Sequence, residues 1–182
     1  MYLNRLIIGK YTVLRSVMKD DAEFILSLRL DDKLNRYINK VENSIEKQRE
    51  WIEKQQQREN DYYFIIQNTD QNPVGTISLY NIEANRAEFG RWVSKGSVIN
   101  NIESVLLLHK FGFEDLMLSE IYTNTVADNK SVLNFHKRFG ARLAQKSHYD
   151  EVSGFTFIRG SILSGDFTEI ETKNYKMLEM LE

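Results

Sequence analysis

No cysteine occurs among the 182 residues, which excludes disulfides, thiolate metal sites and a cysteine nucleophile. Histidine is almost as scarce, with three scattered copies, so no dedicated zinc site and no metal cofactor is expected. One proline, Pro73, and nine glycines leave no room for a flexible linker, and no repeat or low-complexity tract is present. No excess of charge of either sign exists: 24 basic and 26 acidic side chains give −2. That balance excludes a generally basic nucleic-acid binder. No apolar run is long enough to span a bilayer, and the N-terminal MYLNRLIIGKYTVLR lacks a secretory h-region and cleavage site. The expectation is a soluble, cytoplasmic protein acting at neither membranes nor nucleic acids. A 42% apolar fraction supplies a core for a single domain over 1–182.

Tyr11 to Val17 is rich in β-branched residues and reads as a strand. Asp20 and Glu23 then open a helix as N-cap and N3 pair, followed by the stripe Phe24, Ile25 and Leu28. A thinly apolar helix over Ser44 to Arg58 uses Trp51 as its anchor. Tyr62 to Gln67 and Val74 to Tyr80 form a hairpin, and Ala87 to Val93 (AEFGRWV) is the next strand. A helix from about Asn101 to Leu116 is apolar nearly all round, so both of its sides should be covered. Glu120 to Ala127 is a strand, Asn129 to Phe139 a helix ended by Gly140, and 142–160 holds two more strand-like runs. Glu171 to Glu182 is a further helix whose docking the sequence does not specify. This order predicts an α/β (α+β) sheet, antiparallel early, with one parallel crossover at its centre. Ligands of open α/β sheets gather at strand C-termini near helix N-termini, here Val93 to Asn101.

The element order, AEFGRWV, and above all DNKSVLNFHKRFGA resemble the GNAT superfamily of acetyl-CoA-dependent N-acetyltransferases. The similarity runs over roughly Leu14 to Ala141. It is strongest to the branch of ribosomal-protein N-terminal acetyltransferases that also includes acetyltransferases of polysaccharide clusters. The resemblance implies a mixed, mostly antiparallel sheet of six to seven strands, a splayed parallel pair at its centre and four flanking helices. One departure stands out. The family's pyrophosphate loop reads Gln/Arg-x-x-Gly-x-Gly/Ala, whereas Gly96-Ser97-Val98-Ile99-Asn100-Asn101 keeps one glycine. Glycines let backbone approach phosphate closely. Without them, the helix N-terminus and the side chains of Ser97, Asn100 and Asn101 remain as donors to a diphosphate. The competing reading of Asn100 and Glu103 is a capping box that needs no ligand.

Acetyl transfer needs a neutral amine, a stabilised carbonyl oxygen and a proton for the leaving thiolate. By resemblance, acetyl-CoA is the co-substrate. Trp92 and Val93 lie on its strand, with the Val93 amide as donor to the carbonyl oxygen. Asn129, Ser131 and Arg138 contact it from the last helix, Arg138 reaching the 3′-phosphate. Asn129 is equally a plain helix start. Glu88, on a face shared with Gly90 and Trp92 by strict alternation, is the candidate general base. Its alternative is a salt-bridged strand residue beside Arg86 or Arg91. His136 occupies the place of a family tyrosine that protonates the thiolate, its alternative being helix packing; His109 reads as a core histidine. Arg29, Tyr37 and Tyr80 fall where the family builds its acceptor pocket. The expected reaction is direct transfer of acetyl to a primary amine of an amino sugar or nucleotide-amino sugar. A protein or peptide N-terminus is the alternative acceptor, and a non-catalytic GNAT-fold module is the alternative class. Acyl length is open, and Trp51 with the C-terminal segment suggests a homodimer surface.

Overall fold

In the computed structural model, which describes residues 1–182, nine strands form one sheet. β1 (Ile7–Ile8), β2 (Thr12–Ser16), β3 (Tyr62–Asn68), β4 (Pro73–Glu83) and β5 (Arg86–Ser94) follow one another antiparallel. β6 (Glu120–Val126) runs parallel to β5. β9 (Phe155–Leu163) lies antiparallel to β6 and carries the short β7 (Arg142–Leu143) and β8 (His148–Asp150). Five helices accompany the sheet: α1 (Ala22–Leu30), α2 (Ile45–Gln56), α3 (Val98–Lys110), α4 (Lys130–Phe139) and α5 (Ser164–Met180). The class is as expected, with more strands and one more helix. β1 and β7 are two residues each, too short to show any period.

Alternation along β3 distributes the core. Phe64 and Ile66 join a cluster of 21 buried residues with α3 and α5, while Tyr63 and Ile65 join a second cluster with Ile25 of α1 and Ile52 of α2. α3 therefore packs under the sheet and is covered by α5 on its far side, as its all-round apolarity requires. α5 begins at Ser164, seven residues before the expected start. Its anchor is polar: the buried Asn174 donates to the carbonyls of Phe139 and Ile170, both at 2.8 Å. Gly140 makes this possible, with φ +136 and Ile170 so close that any Cβ would meet it at 2.7 Å.

Besides α5, two helix starts differ from expectation. α1 is led by a 3₁₀ turn, Lys19–Asp21, and the carboxylate at work is Asp21 rather than Asp20. Asp21 accepts from the Met18 amide at 2.7 Å and pairs bidentately with Arg15. α3 starts at Val98, not Asn101, because Ser97 is the N-cap and Asn100 its box partner. Glu103, fully buried, takes no part in that cap and instead accepts from the Lys10 and Tyr11 amides, both at 2.8 Å. α3 is thereby tied to the β1–β2 loop. α2 begins as expected, with Ser44 as N-cap.

Candidate active site

The parallel pairing of β5 and β6 ends at Glu88 opposite Tyr122, although β5 runs on to Ser94 and β6 to Val126. Beyond Glu88 the two strands diverge, and backbone that would otherwise be paired borders an opening. A bulge in β5 shapes it. The register against β4 shifts between Ser78–Gly90 and Thr76–Val93, and Arg91 sits at φ +47, a conformation disfavoured for a residue with a Cβ. Compensation is local: the Arg91 guanidinium pairs with the buried Asp61 through two N–H···O bonds and stacks 4.2 Å from the Tyr80 ring centre. Thr76 Oγ1 donates to the Arg91 carbonyl at 2.9 Å.

The bulge corrects the expected faces of this strand. Trp92 does not share a face with Glu88; it joins Phe89, with ring centres 5.8 Å apart, and packs on Phe135 of α4 at 4.6 Å. Arg91 and Val93, expected opposite Glu88, line the same cavity as Glu88. The ladder also corrects the assignment of the carbonyl-binding amide. The Lys95 amide donates to the Val74 carbonyl, so the two-residue alternation turns the Val93 amide to β4 as well and the Ser94 amide toward the opening.

Two cavities meet at Val93. The first, about 640 Å³, is lined by Arg29, Tyr37, Tyr80, Glu88, Arg91 and Val93 among others, so the three expected acceptor residues and the expected base come together. Glu88 is not salt-bridged, since Arg86 pairs with Glu120 and Arg91 with Asp61. Its carboxylate oxygens accept instead from Asn81 Nδ2 at 3.0 Å and Asn124 Nδ2 at 3.2 Å. Burial, reinforced by the charge of Glu88, pushes the Tyr80 phenol far above the usual range and keeps it neutral. Burial also lowers the pKa of Arg29, which remains charged. His148 and Asp150, on β8, complete the rim.

The second cavity, about 520 Å³, is lined by Trp92, Val93, Asn101, Asn129 and Ser131, five of the expected coenzyme residues. Two buried polar atoms border it without partners, Trp92 Nε1 and Asn101 Oδ1, a donor and an acceptor such as an amide-bearing arm requires. Asn129 also caps α4, accepting from the Val132 amide at 3.3 Å, which is the plain helix start expected of it. Ser97, Val98, Ile99 and Asn100 line neither cavity. The Asn100 side chain is spent on Ser97, the Tyr11 carbonyl and Thr12 Oγ1, and so is withdrawn from the set of anion donors. What remains at this end of α3 is the pair of first-turn amides, Val98 and Ile99, which have no acceptor within the helix.

His136 and Arg138 are not brought to the site. His136 is 4% exposed, lines neither of these two cavities, and packs edge-on against Phe89 with ring centres 5.4 Å apart. Burial and the neighbouring His109 hold it down to about 4. A neutral, enclosed imidazole packs the helix; it does not supply a proton at neutral pH. Arg138 is exposed in the last turn of α4, roughly 13 Å along the helix from its N-cap, and lines neither cavity. His109 is the expected core histidine: buried, donating Nδ1–H to the Val105 carbonyl at 2.8 Å, and lowered to about 4. Asn81, Asn124 and Asp61 escaped the sequence reading. Nothing in their local pattern marks them, because each acts through a partner on another strand.

This sheet, split at a bulged strand between two cavities, is the architecture of an acyl-coenzyme A-dependent acetyltransferase. Residues 12–142 match the family model "Acetyltransferase (GNAT) domain". The chain belongs to the GNAT acetyltransferase family and is an acetyl-CoA-dependent acyltransferase. A prophage-derived uncharacterized N-acetyltransferase of Bacillus subtilis (strain 168), YokL, is 24% identical over 139 residues, covering 72% of this chain and 76% of that protein. The solved structure of apo FdhC, a nucleotide-linked sugar GNAT, superposes with a TM-score of 0.82 at 32% identity over 97% of this chain and 99% of that one. A spermidine N-acetyltransferase of Vibrio cholerae, SpeG, superposes at 0.73 with 16% identity over 88% of this chain and 98% of that one, a likeness of fold. No group of three metal-ligating side chains is present, and no helix is long and apolar enough to cross a membrane.

Proposed function

We propose that the chain acetylates the primary amine of an amino sugar, in nucleotide-linked form, bound in the cavity bordered by Glu88. The observation that carries this reading is the unpaired Glu88 carboxylate, held by Asn81 and Asn124 at the point where β5 and β6 part. Similarity to the nucleotide-linked sugar enzyme along nearly the whole chain supports the sugar over a peptide N-terminus. Acetyl-CoA, when bound, supplies the thioester carbon that the amine attacks. Trp92, Asn101, Asn129 and Ser131 line the cavity that would hold it on the other side of Val93, and the first-turn amides of α3, Val98 and Ile99, would offer donors to its phosphates.

Glu88 does the proton work. An ammonium entering the cavity loses its proton to this carboxylate, directly or through one water, and becomes nucleophilic. Asn81 and Asn124 keep the carboxylate aimed by donating to both of its oxygens. Arg91, immobilised by Asp61, stacks against Tyr80 and fixes the wall the sugar ring meets. Transfer is direct, with no acyl-enzyme: the C–N bond forms as the C–S bond breaks, and the remaining amine proton passes through water to the departing thiolate, which leaves as the thiol. Thiol release from acetyl-CoA, measured over a panel of amino sugars, their nucleotide conjugates, N-terminal peptides and spermidine, tests the reading. The expected result is highest kcat/KM for the sugar conjugates. Preference for peptides or spermidine overturns the acceptor, and coenzyme binding without turnover of any amine makes the chain a binding module.

A further inference from the structure

Arg29, at the end of α1, is the one guanidinium in the acceptor cavity with no carboxylate partner. Arg91, its neighbour in the lining, is neutralised by Asp61, whereas Arg29 forms no salt bridge. Of the five N–H donors a guanidinium carries, one is used, Nη2 to the Asn39 carbonyl at 3.0 Å. Nε is fully buried and bonded to nothing. Leaving Nε of a charged group desolvated and unpaired is costly, and desolvation already depresses the pKa of Arg29.

Across the same cavity Glu88 is the complementary anomaly, a carboxylate with no cation. The other acidic side chain in the lining, Asp150, is held by its own turn through Oδ2 alone, which accepts from Ser153 N–H at 2.9 Å and from Ser153 Oγ. Carboxylates without a cation and one guanidinium without a carboxylate, within a single cavity, suit a ligand carrying both charges. A polyamine, all positive, would leave Arg29 unpaired and repelled. A neutral amino sugar would satisfy Glu88 alone.

Resting on the acceptor cavity proposed above, we infer that the acceptor is an amine bearing a separate anionic group, phosphate or carboxylate, and that Arg29 is the residue that grips the anion and sets this specificity. Bidentate pairing of a planar guanidinium with phosphate or carboxylate oxygens is the interaction its free donors allow.

The test uses amines that share one ring and differ in charge: glucosamine, glucosamine phosphate, UDP-glucosamine and muramic acid. Binding is measured by isothermal titration in the presence of coenzyme A, so the result does not depend on turnover. The wild type is expected to bind one or more of the anionic sugars about 10- to 100-fold more tightly than glucosamine. Which of the phosphate, diphosphate and carboxylate arms gains most identifies the anion. Arg29→Gln should abolish that preference and Arg29→Lys restore it in part, while thermal unfolding and coenzyme titration report that each variant is folded. Equal affinity for glucosamine and all three anionic sugars, or an equal loss for every sugar in Arg29→Gln, overturns the inference. An Arg29-dependent preference without acetylation of any sugar leaves the anion site standing and overturns the catalytic reading instead.

Discussion

Glu88 and Arg91 show how single side chains turn a strand into a site. Glu88 owes its availability to its neighbours, since the nearby arginines are committed elsewhere and two asparagines orient it without neutralising it. Replacing it by Gln keeps the shape and removes the proton acceptor. The expected outcome is a fall in kcat/KM of about 100-fold with coenzyme A binding unchanged by titration; an unchanged kcat/KM would take Glu88 out of the mechanism. Arg91 is a wall and a counter-charge. Arg91→Met should cost about 2 kcal/mol in urea unfolding, because the Asp61 carboxylate, 4% exposed, loses its bidentate partner and keeps only Gln55 at 3.0 Å and Arg58 at 3.7 Å. Adding Asp61→Asn should recover part of that loss, and a double variant no more stable than the single would show that the pair does not act together. Of the residues in the site, those read from chemistry or family position (Arg29, Tyr37, Tyr80, Glu88) come together in one cavity. Those that depend on a strand register, Asn81, Asn124 and Asp61, were invisible because partners 7 to 36 residues away decide their roles.

Elements were legible wherever a period or a cap marked them and obscure where tertiary contact decided. β3, β4 and α4 fall within a few residues of their sequence limits, since alternation, the turn before Pro73 and Gly140 punctuate them. The face of β5 was misread because alternation assumes an unbroken strand, and a bulge at Arg91 leaves no signature in AEFGRWV. The start of α3 was misread for a related reason. Asn100–Glu103 and Ser97–Asn100 are both plausible caps, and only the β1–β2 loop, which claims Glu103, separates them. That contact is worth testing. Glu103→Ala leaves two amides beneath the helix without an acceptor and should destabilise the fold by about 3 kcal/mol, while Glu103→Gln, retaining one acceptor, should cost less; equal stabilities by urea unfolding would contradict the contact.

At the scale of the molecule, two histidines couple stability to pH. His109 and His136 are each lowered to about 4 by burial, below the 6.5 of an exposed imidazole, so the unfolded chain binds these protons first. Their contribution is whole above about pH 6.5 and is lost as pH falls toward 4, on the order of 3 kcal/mol for each. Thermal unfolding should therefore show Tm falling through that window, and a flat Tm between pH 7 and 5 would contradict the buried, neutral state. The same interior placement sets these histidines apart from the chemistry, which is left to the opening of the sheet. That opening is the central claim: β5 and β6 part after Glu88 between two cavities that meet at Val93, and we propose the coenzyme on the Trp92 and Asn101 side and the amine on the Glu88 side. A crystal structure with coenzyme A and an amino sugar bound tests it most directly. The account predicts the pantetheine arm between the diverging strands beside Ser94, with the sugar amine facing the Glu88 carboxylate. Coenzyme bound anywhere else, or strands closed together past Glu88 and Tyr122, would contradict it.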